Sequence, residues 1–274
     1  MPRVAIDRVA EIIVEVADAV IMPRWRNLAA HEIGTKSRPD DLVTVADREA
    51  EVALARQLGD LLPGAHVVGE EAVAADGAVL ELLRTPEPVW VIDPIDGTRK
   101  FSEGRPEFDV LVALVQAGRG LAGWIYSPAK RTLILGEAGG GVQRRVAGQP
   151  PQELTRRADK PLRELEGILS PRPFVNRGFV DPTTARQRFR GYSPPVCAGH
   201  NYARLLTGES DFLINFSALA WDHLAGLALA TEAGFHHARH DGAAYDPLDP
   251  RGGLLVAPGE TSWQEIRATL LRPA

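Results

Sequence analysis

Asp93 and Asp96 stand three residues apart at the end of an apolar run, in Trp90-Val-Ile-Asp-Pro-Ile-Asp-Gly-Thr98. A turn closing a strand at this point can aim both carboxylates into one pocket. Pro94 stiffens that turn, Gly97 permits a positive φ or a close backbone approach, and Thr98 can open a helix that offers its hydroxyl and amides to an anion. Taken alone, the stretch also reads as an Asp-Pro and Asp-Gly turn without chemistry. It has company. Val67-Val-Gly-Glu-Glu71 delivers Glu70 and Glu71 from a second short strand, Asp47 opens a helix after Asp41-Leu-Val-Thr-Val-Ala, and Trp221-Asp222 opens another. Each has a bland alternative: solvated glutamates at 70–71, helix N-caps at Asp47 and Asp222. Converging carboxylates suit a hard divalent cation, Mg2+ first, which takes oxygen ligands, keeps waters and binds phosphate. Two such ions lower the pKa of a bound water, orient in-line attack and neutralise a leaving oxygen. Removing a phosphoryl group is mainly positioning and charge stabilisation, so no covalent nucleophile is needed.

Those carboxylates need a frame. Val9, Ile12, Ile13, Val16 and Val20 recur at helical spacing, so residues 4–22 read as an amphipathic helix ended near Pro23. A second helix is expected over 46–62, closed by Pro63-Gly64. Apolar runs at 67–68 and 89–92 suit buried strands, with further strands at 109–116, 121–126 and 132–136. The Gly-rich stretch 139–151 closes the first half. Beyond it come a strand near 166–170, helices near 181–190 and 198–207, a strand at 211–215, a helix over 222–233 ended by Gly234, and a short helix at 262–271. Mixed strands and helices without repeats predict an α/β or α+β layered fold.

Of the 274 residues, 45% are apolar and 24% charged, an ordinary globular balance, and the formal charge of −5 argues against nucleic acid as a partner. Cys197 is the single cysteine, which excludes an internal disulfide and a Cys-rich zinc site and fits a reducing cytoplasm. Charges at Asp7, Arg8, Glu11, Glu15 and Asp18 interrupt any secretory apolar core, and no uncharged stretch approaches the ~18 residues of a membrane span. A soluble, cytoplasmic protein is expected.

In this order and spacing the motifs resemble the inositol monophosphatase family of metal-dependent, lithium-sensitive phosphatases. The resemblance rests on Asp-Leu-Val-Thr-x-x-Asp at 41–47, Gly-Glu-Glu at 69–71, Asp-Pro-Ile-Asp-Gly-Thr at 93–98, Gly123-Trp-Ile-Tyr-Ser-Pro128, and Trp-Asp at 221–222 followed by Ala-Gly and Glu-Ala-Gly. It spans residues 5–260, loosely over 145–195. It implies one domain over 1–274, a layered αβαβα sandwich of the sugar-phosphatase type, with a metal and phosphate half at 1–145 and a substrate-recognition half at 146–274. A homodimer is implied too. By this resemblance Glu70, Asp93 and the Ile95 carbonyl would hold one Mg2+; Asp93, Asp96 and Asp222 would hold a second; and Glu70 would face a weaker third. Thr98 and Asp47 would orient the attacking water, with Glu70 also part of the catalytic set. The amides of Gly97 and Thr98 would receive the phosphate, and Asn215 and Asp222 would meet the substrate's alcohol. The implied substrate is a small phosphate monoester, inositol monophosphate or a similar polyol phosphate. Histidinol phosphate, a nucleotide 3′-phosphate or a sugar bisphosphate are the alternative substrates. A partner-binding role in transcription or RNA processing is the alternative class.

The chain departs from the family pattern in three places. Past Thr98 the family often continues Thr-Asn-Phe, whereas this chain reads Arg99-Lys100-Phe101, two charges that could steer an anion or simply be solvated. The family's Gly-Ser/Thr-Ala-Ala substrate turn falls on Val196-Cys197-Ala198-Gly199. Asn215 stands where inositol-specific members tend to carry a glutamate, and an amide hydrogen-bonds a hydroxyl without supplying charge. These positions read the alcohol rather than perform hydrolysis. Cys197 is expected to pack, His200 to pack or face solvent, and His236-His237-x-x-His240 to form a solvated loop.

Overall fold

The computed structural model describes residues 4–36, 41–156, 158–169 and 187–271. Helix α1 (Ile6–Val16) runs into a π turn at Ala17–Ile21, just short of Pro23. A small antiparallel ribbon, β1 (Ile33–Thr35) with β2 (Leu42–Thr44), leads into α2 (Val45–Leu61). Thr44, not Asp47, caps α2. Its hydroxyl accepts from Asp47 N at 3.4 Å while Asp47 Oδ2 accepts from Thr44 N at 2.7 Å, a reciprocal capping box.

Seven strands follow as one sheet in chain order: β3 (His66–Gly69), β4 (Pro88–Asp96), β5 (Asp109–Gln116), β6 (Arg119–Ser127), β7 (Thr132–Glu137), β8 (Gly141–Val146) and β9 (Gln152–Leu154). Only β3 and β4 pair in parallel; short helices α3 (Glu70–Ala75) and α4 (Thr98–Ser102) leave the ends of those two strands. The Gly-rich stretch that closes the first half supplies β8 and the approach to β9. A second sheet holds β10 (Glu166–Ile168), β11 (Gly191–Ser193), β12 (Phe212–Asn215), β13 (His236–Ala238) and β14 (Leu254–Ala257), in the order β11-β10-β12-β14-β13. Of the histidines expected in a solvated loop, His236 and His237 begin a paired strand and His240 follows it, and burial pushes His237 and His240 down to about 4. Most of the expected helix at 181–190 lies outside the described residues.

Helices α5 (Ala198–Leu206) and α6 (Ala220–Glu232) lie between the two sheets, and α7 (Glu260–Leu270) covers the far face of the second. The alternation of side chains along each strand sorts them into three cores. Trp90 and Ile92 pack with α1 and α2, while Val89 and Val91 pack with α6; Leu213 and Val256 share that middle core, and Phe212 and Leu255 pack with Trp263 of α7. The result is an α/β sandwich of five layers, αβαβα. Strands buried on both faces explain the near-continuous apolar runs of β4, β5 and β6. Among the described residues no helix is long and apolar enough to cross a membrane.

The middle layer is packed closely. A Cβ on Gly123 of β6 would fall 2.5 Å from Ala225 O of α6, and one on Gly226 would fall 2.2 Å from the Tyr202 ring of α5. Gly226→Ala is expected to destabilise the protein by about 1–3 kcal/mol through overpacking. Urea unfolding should show a lowered midpoint with an unchanged slope.

Candidate functional site

Asp93 and Asp96 lie inside β4, not in a turn after it. Along the β4–β5 ladder Asp93 pairs with Leu111 and Asp96 with Asp109, so β4 carries one residue more than its partner between those pairs. In an even strand, residues three apart face opposite sides. The bulge turns both carboxylates to the same side, toward α6. Asp222 meets them there from the first turn of α6, capped by Leu219 rather than by Asp222 itself. Carboxylate oxygens of Asp93, Asp96 and Asp222 lie within 4.8 Å of one another. Ile95 N donates to Asp93 Oδ1 at 3.1 Å, and Gly97 then takes φ 89° to start α4.

The cluster is electrostatically costly as it stands. Asp93 and Asp96 are 1% and 7% exposed. Burial holds Asp93 well above the carboxylate range, and the charges of Glu70, Asp96 and Asp222 push it further. Asp222 is raised by burial and then by Asp96 and Glu70. Burial and Asp109 push Asp96 up to about 6. Like charges gathered out of water call for a compensating cation, and an all-oxygen donor set fits a hard divalent ion such as Mg2+.

Glu70 approaches from the start of α3. Lys36 Nζ lies 2.6 Å from Glu70 Oε1 and 2.5 Å from Glu71 Oε1. Burial works against the Lys36 charge, but the two glutamates outweigh it and raise its pKa. Behind them the Glu51 carboxylate, itself pushed up to about 7 by burial, accepts from Glu71 N at 2.8 Å and Ala72 N at 2.9 Å. Gly69 makes room for it: a Cβ there would fall 2.2 Å from Glu51 Cδ. A cleft of about 630 Å³ opens beside Glu70, with Lys36, Arg48, Leu219 and Trp221 in its wall.

Asp47 and Thr98 form a second group. Thr98 Oγ1 lies 3.0 Å from both Asp47 Oδ1 and Ile95 O, with one hydrogen to share between two acceptors. Burial pushes Asp47 up to about 7 against the hydrogen bonds from Thr44.

The altered turn at 196–199 serves Asp96. Ala198 N and Gly199 N, the first amides of α5, donate to its carboxylate at 3.2 and 2.6 Å. Lys100 Nζ donates to Val196 O at 2.5 Å, so this charge braces the turn and is not simply solvated. Arg99 remains exposed. His200 is packed: Nδ1 hydrogen-bonds Asp109 Oδ2, and Nε2 lies 3.1 Å from Lys130 Nζ. Cys197 is partly buried, with Sγ 3.5 Å from Asp109 Oδ2. Asn215 ends β12, and its amide Nδ2 is buried without a hydrogen-bond partner.

Glu70, Asp93, Asp96 and Asp222 are thus brought together, as are Asp47, Thr98 and Ile95; the Asn215 amide nitrogen is bonded to neither group. Sequence reasoning gave no role to Lys36, Glu51 or Asp109. For Asp109 a signal existed: a lone charge at the head of the apolar run 109–115.

A model of the inositol monophosphatase family matches residues 5–273. An inositol-1-monophosphatase of Mesorhizobium japonicum is 30% identical over 86% of this chain and 85% of its own length. A histidinol-phosphatase of Mycobacterium tuberculosis is 28% identical over 88% of this chain and 89% of its own. The crystal structure of extragenic suppressor protein suhB from Bartonella henselae shares the fold, with a TM-score of 0.78 at 20% identity, over 98% of this chain and 100% of that one.

Raised carboxyl pKa values mean that the folded chain binds protons more tightly than the unfolded one. Their stabilisation is therefore full in acid and is lost as pH rises. In chelator, stability should fall from about pH 4 to about pH 7. Asp93→Asn should flatten that fall, raise metal-free stability above pH 7 by on the order of 2 kcal/mol, and abolish the Tm rise expected of the parent on adding Mg2+. Thermal and urea unfolding with and without Mg2+ measure all three effects.

Proposed function

The chain belongs to the inositol monophosphatase family, and from that premise we propose that it hydrolyses inositol monophosphate or a similar polyol phosphate in a Mg2+-dependent reaction. Members of this family are metal-dependent phosphoric monoester hydrolases, and so is this chain. One observation carries the reading: Asp93, Asp96 and Asp222 converge within 4.8 Å beside Glu70. Glu70, Asp93 and the Ile95 carbonyl would hold one ion, and Asp93, Asp96 and Asp222 another. When bound there, Mg2+ supplies the positive charge that offsets the carboxylates, acidifies water and neutralises phosphoryl and leaving oxygens.

The chain's own residues then position the reactants. Thr98 Oγ1 donates to Asp47 Oδ1, so its lone pairs face outward to accept a hydrogen from the attacking water, whose own lone pair is left for phosphorus. Asp47, held at its other oxygen by Thr44, takes the relayed proton; a carboxyl near 7 suits that exchange at neutral pH. The amides of Gly97 and Thr98 receive the phosphate. Asp222 and Asn215 meet the alcohol. Phosphate chemistry falls to residues 1–145, with Asp222 the one donor from the substrate-reading half at 146–274. The same reading takes the chain as a cytoplasmic homodimer.

Chelation should abolish turnover and Mg2+ restore it. Thr98→Ala and Asp47→Asn should lower kcat by about 10²–10⁴ with KM little changed, because they act on water rather than on substrate binding. A panel of inositol 1-phosphate, histidinol phosphate, a nucleotide 3′-phosphate and fructose 1,6-bisphosphate, ranked by kcat/KM, tests the substrate. A first place for histidinol phosphate would replace the polyol assignment. Asn215→Ala should reorder the panel while leaving the Mg2+ requirement intact.

A further inference from the structure

Across the ladder from Asp96, Asp109 gathers a constellation of another kind. We propose that Asp109 Oδ2, Cys197 Sγ and His200 Nδ1 form a separate binding site for a thiophilic divalent cation of the Zn2+ class. Hydrolysis uses none of these three atoms in the reading above, and their mixed oxygen, sulfur and nitrogen set is unsuited to Mg2+.

The spacing fits such an ion. Sγ lies 3.5 Å from Oδ2 and 3.6 Å from Nδ1. A tetrahedral ion about 2.3 Å from sulfur and about 2.0–2.1 Å from nitrogen or oxygen sets those edges at about 3.5 Å. The third edge, Nδ1 to Oδ2, is closed by a hydrogen bond and must open by about 1 Å. The surroundings are already arranged. Ser127 Oγ donates to Asp109 Oδ1, fixing the carboxylate and leaving Oδ2 toward Cys197 and His200. Gly199, between Cys197 and His200 in the chain, lets Asp109 approach them: a Cβ there would fall 2.7 Å from Asp109 Cβ. A carboxylate and a thiolate together balance a dication, and water completes the fourth position.

Lys130 works against the ion. An ammonium only donates, so with Nζ 3.1 Å from Nε2 the imidazole accepts there and carries its hydrogen on Nδ1, donated to Asp109. Loading the site reverses this. The thiol proton leaves to solvent, the Nδ1 lone pair turns to the ion, and the ring hydrogen moves to Nε2, displacing the exposed Lys130 side chain.

The test is Co2+ titration of the metal-free full chain in saturating Mg2+, read by the near-ultraviolet sulfur-to-cobalt charge-transfer band. The all-oxygen cluster cannot produce that band. One Co2+ per chain should develop it, and Zn2+ should bleach it. Cys197→Ser should abolish the band, and His200→Ala should weaken binding by at least about tenfold. Lys130→Gln, whose Oε1 can accept from Nε2, should tighten binding by about tenfold. That substitution is at an exposed position, so it reads out even if a ligand variant fails to fold. Absence of the band in the parent chain, a band that survives Cys197→Ser, undiminished binding in a folded His200→Ala, or binding by Lys130→Gln no tighter than the parent would each overturn the site.

Discussion

Repulsion among buried carboxylates governs this molecule. Glu70, Asp93, Asp96 and Asp222 come from three separate elements and meet where burial weakens screening by water. Left to themselves they would separate or take up protons. They stay because each element is anchored elsewhere: β4 is paired on both sides in the first sheet, α6 packs between the two sheets, and α3 hangs on the Glu51 carboxylate. The fold concentrates negative charge at one point, and a divalent cation is its complement.

Three of the four carboxylates are braced by polar partners of complementary charge. Asp96 receives two amides of α5, Asp93 receives Ile95 N, and Glu70 receives Lys36. These bonds favour the charged carboxylates and partly offset burial. The bulge in β4 is the device on which the geometry turns, since without the extra residue one of the two aspartates would point at α2.

Much of the frame was legible. Helical periodicity located α1 and α2, and apolar runs located β4 through β7, because strands buried on both faces leave a strong local signal. The carboxylates were legible because each stands where an apolar run ends. What escaped depends on partners distant in sequence. The bulge is defined by β5, not by β4. Glu51 matters only because Gly69 comes to rest against it, and His237 is a strand residue only because β14 lies beside it. Asp47 was taken for a cap although Thr44-Val-Ala-Asp47 carries the spacing of a capping box with Asp47 as its third residue. Asp222 was likewise taken for the cap although it is the third residue of its helix, since an apolar cap at Leu219 gives no signal.

The wide separation of the donors also bears on how the chain folds. Glu70 and Asp222 meet only after the first sheet has formed, α6 has docked on it, and the intervening residues have been drawn into place. Contacts of such sequence separation carry a heavy loop-closure entropy and form late. A partly folded chain therefore has no high-affinity cluster to offer, and a cation bound there joins after the folding barrier. Its stabilisation falls on the native side of that barrier, slowing unfolding while leaving the folding rate nearly unchanged.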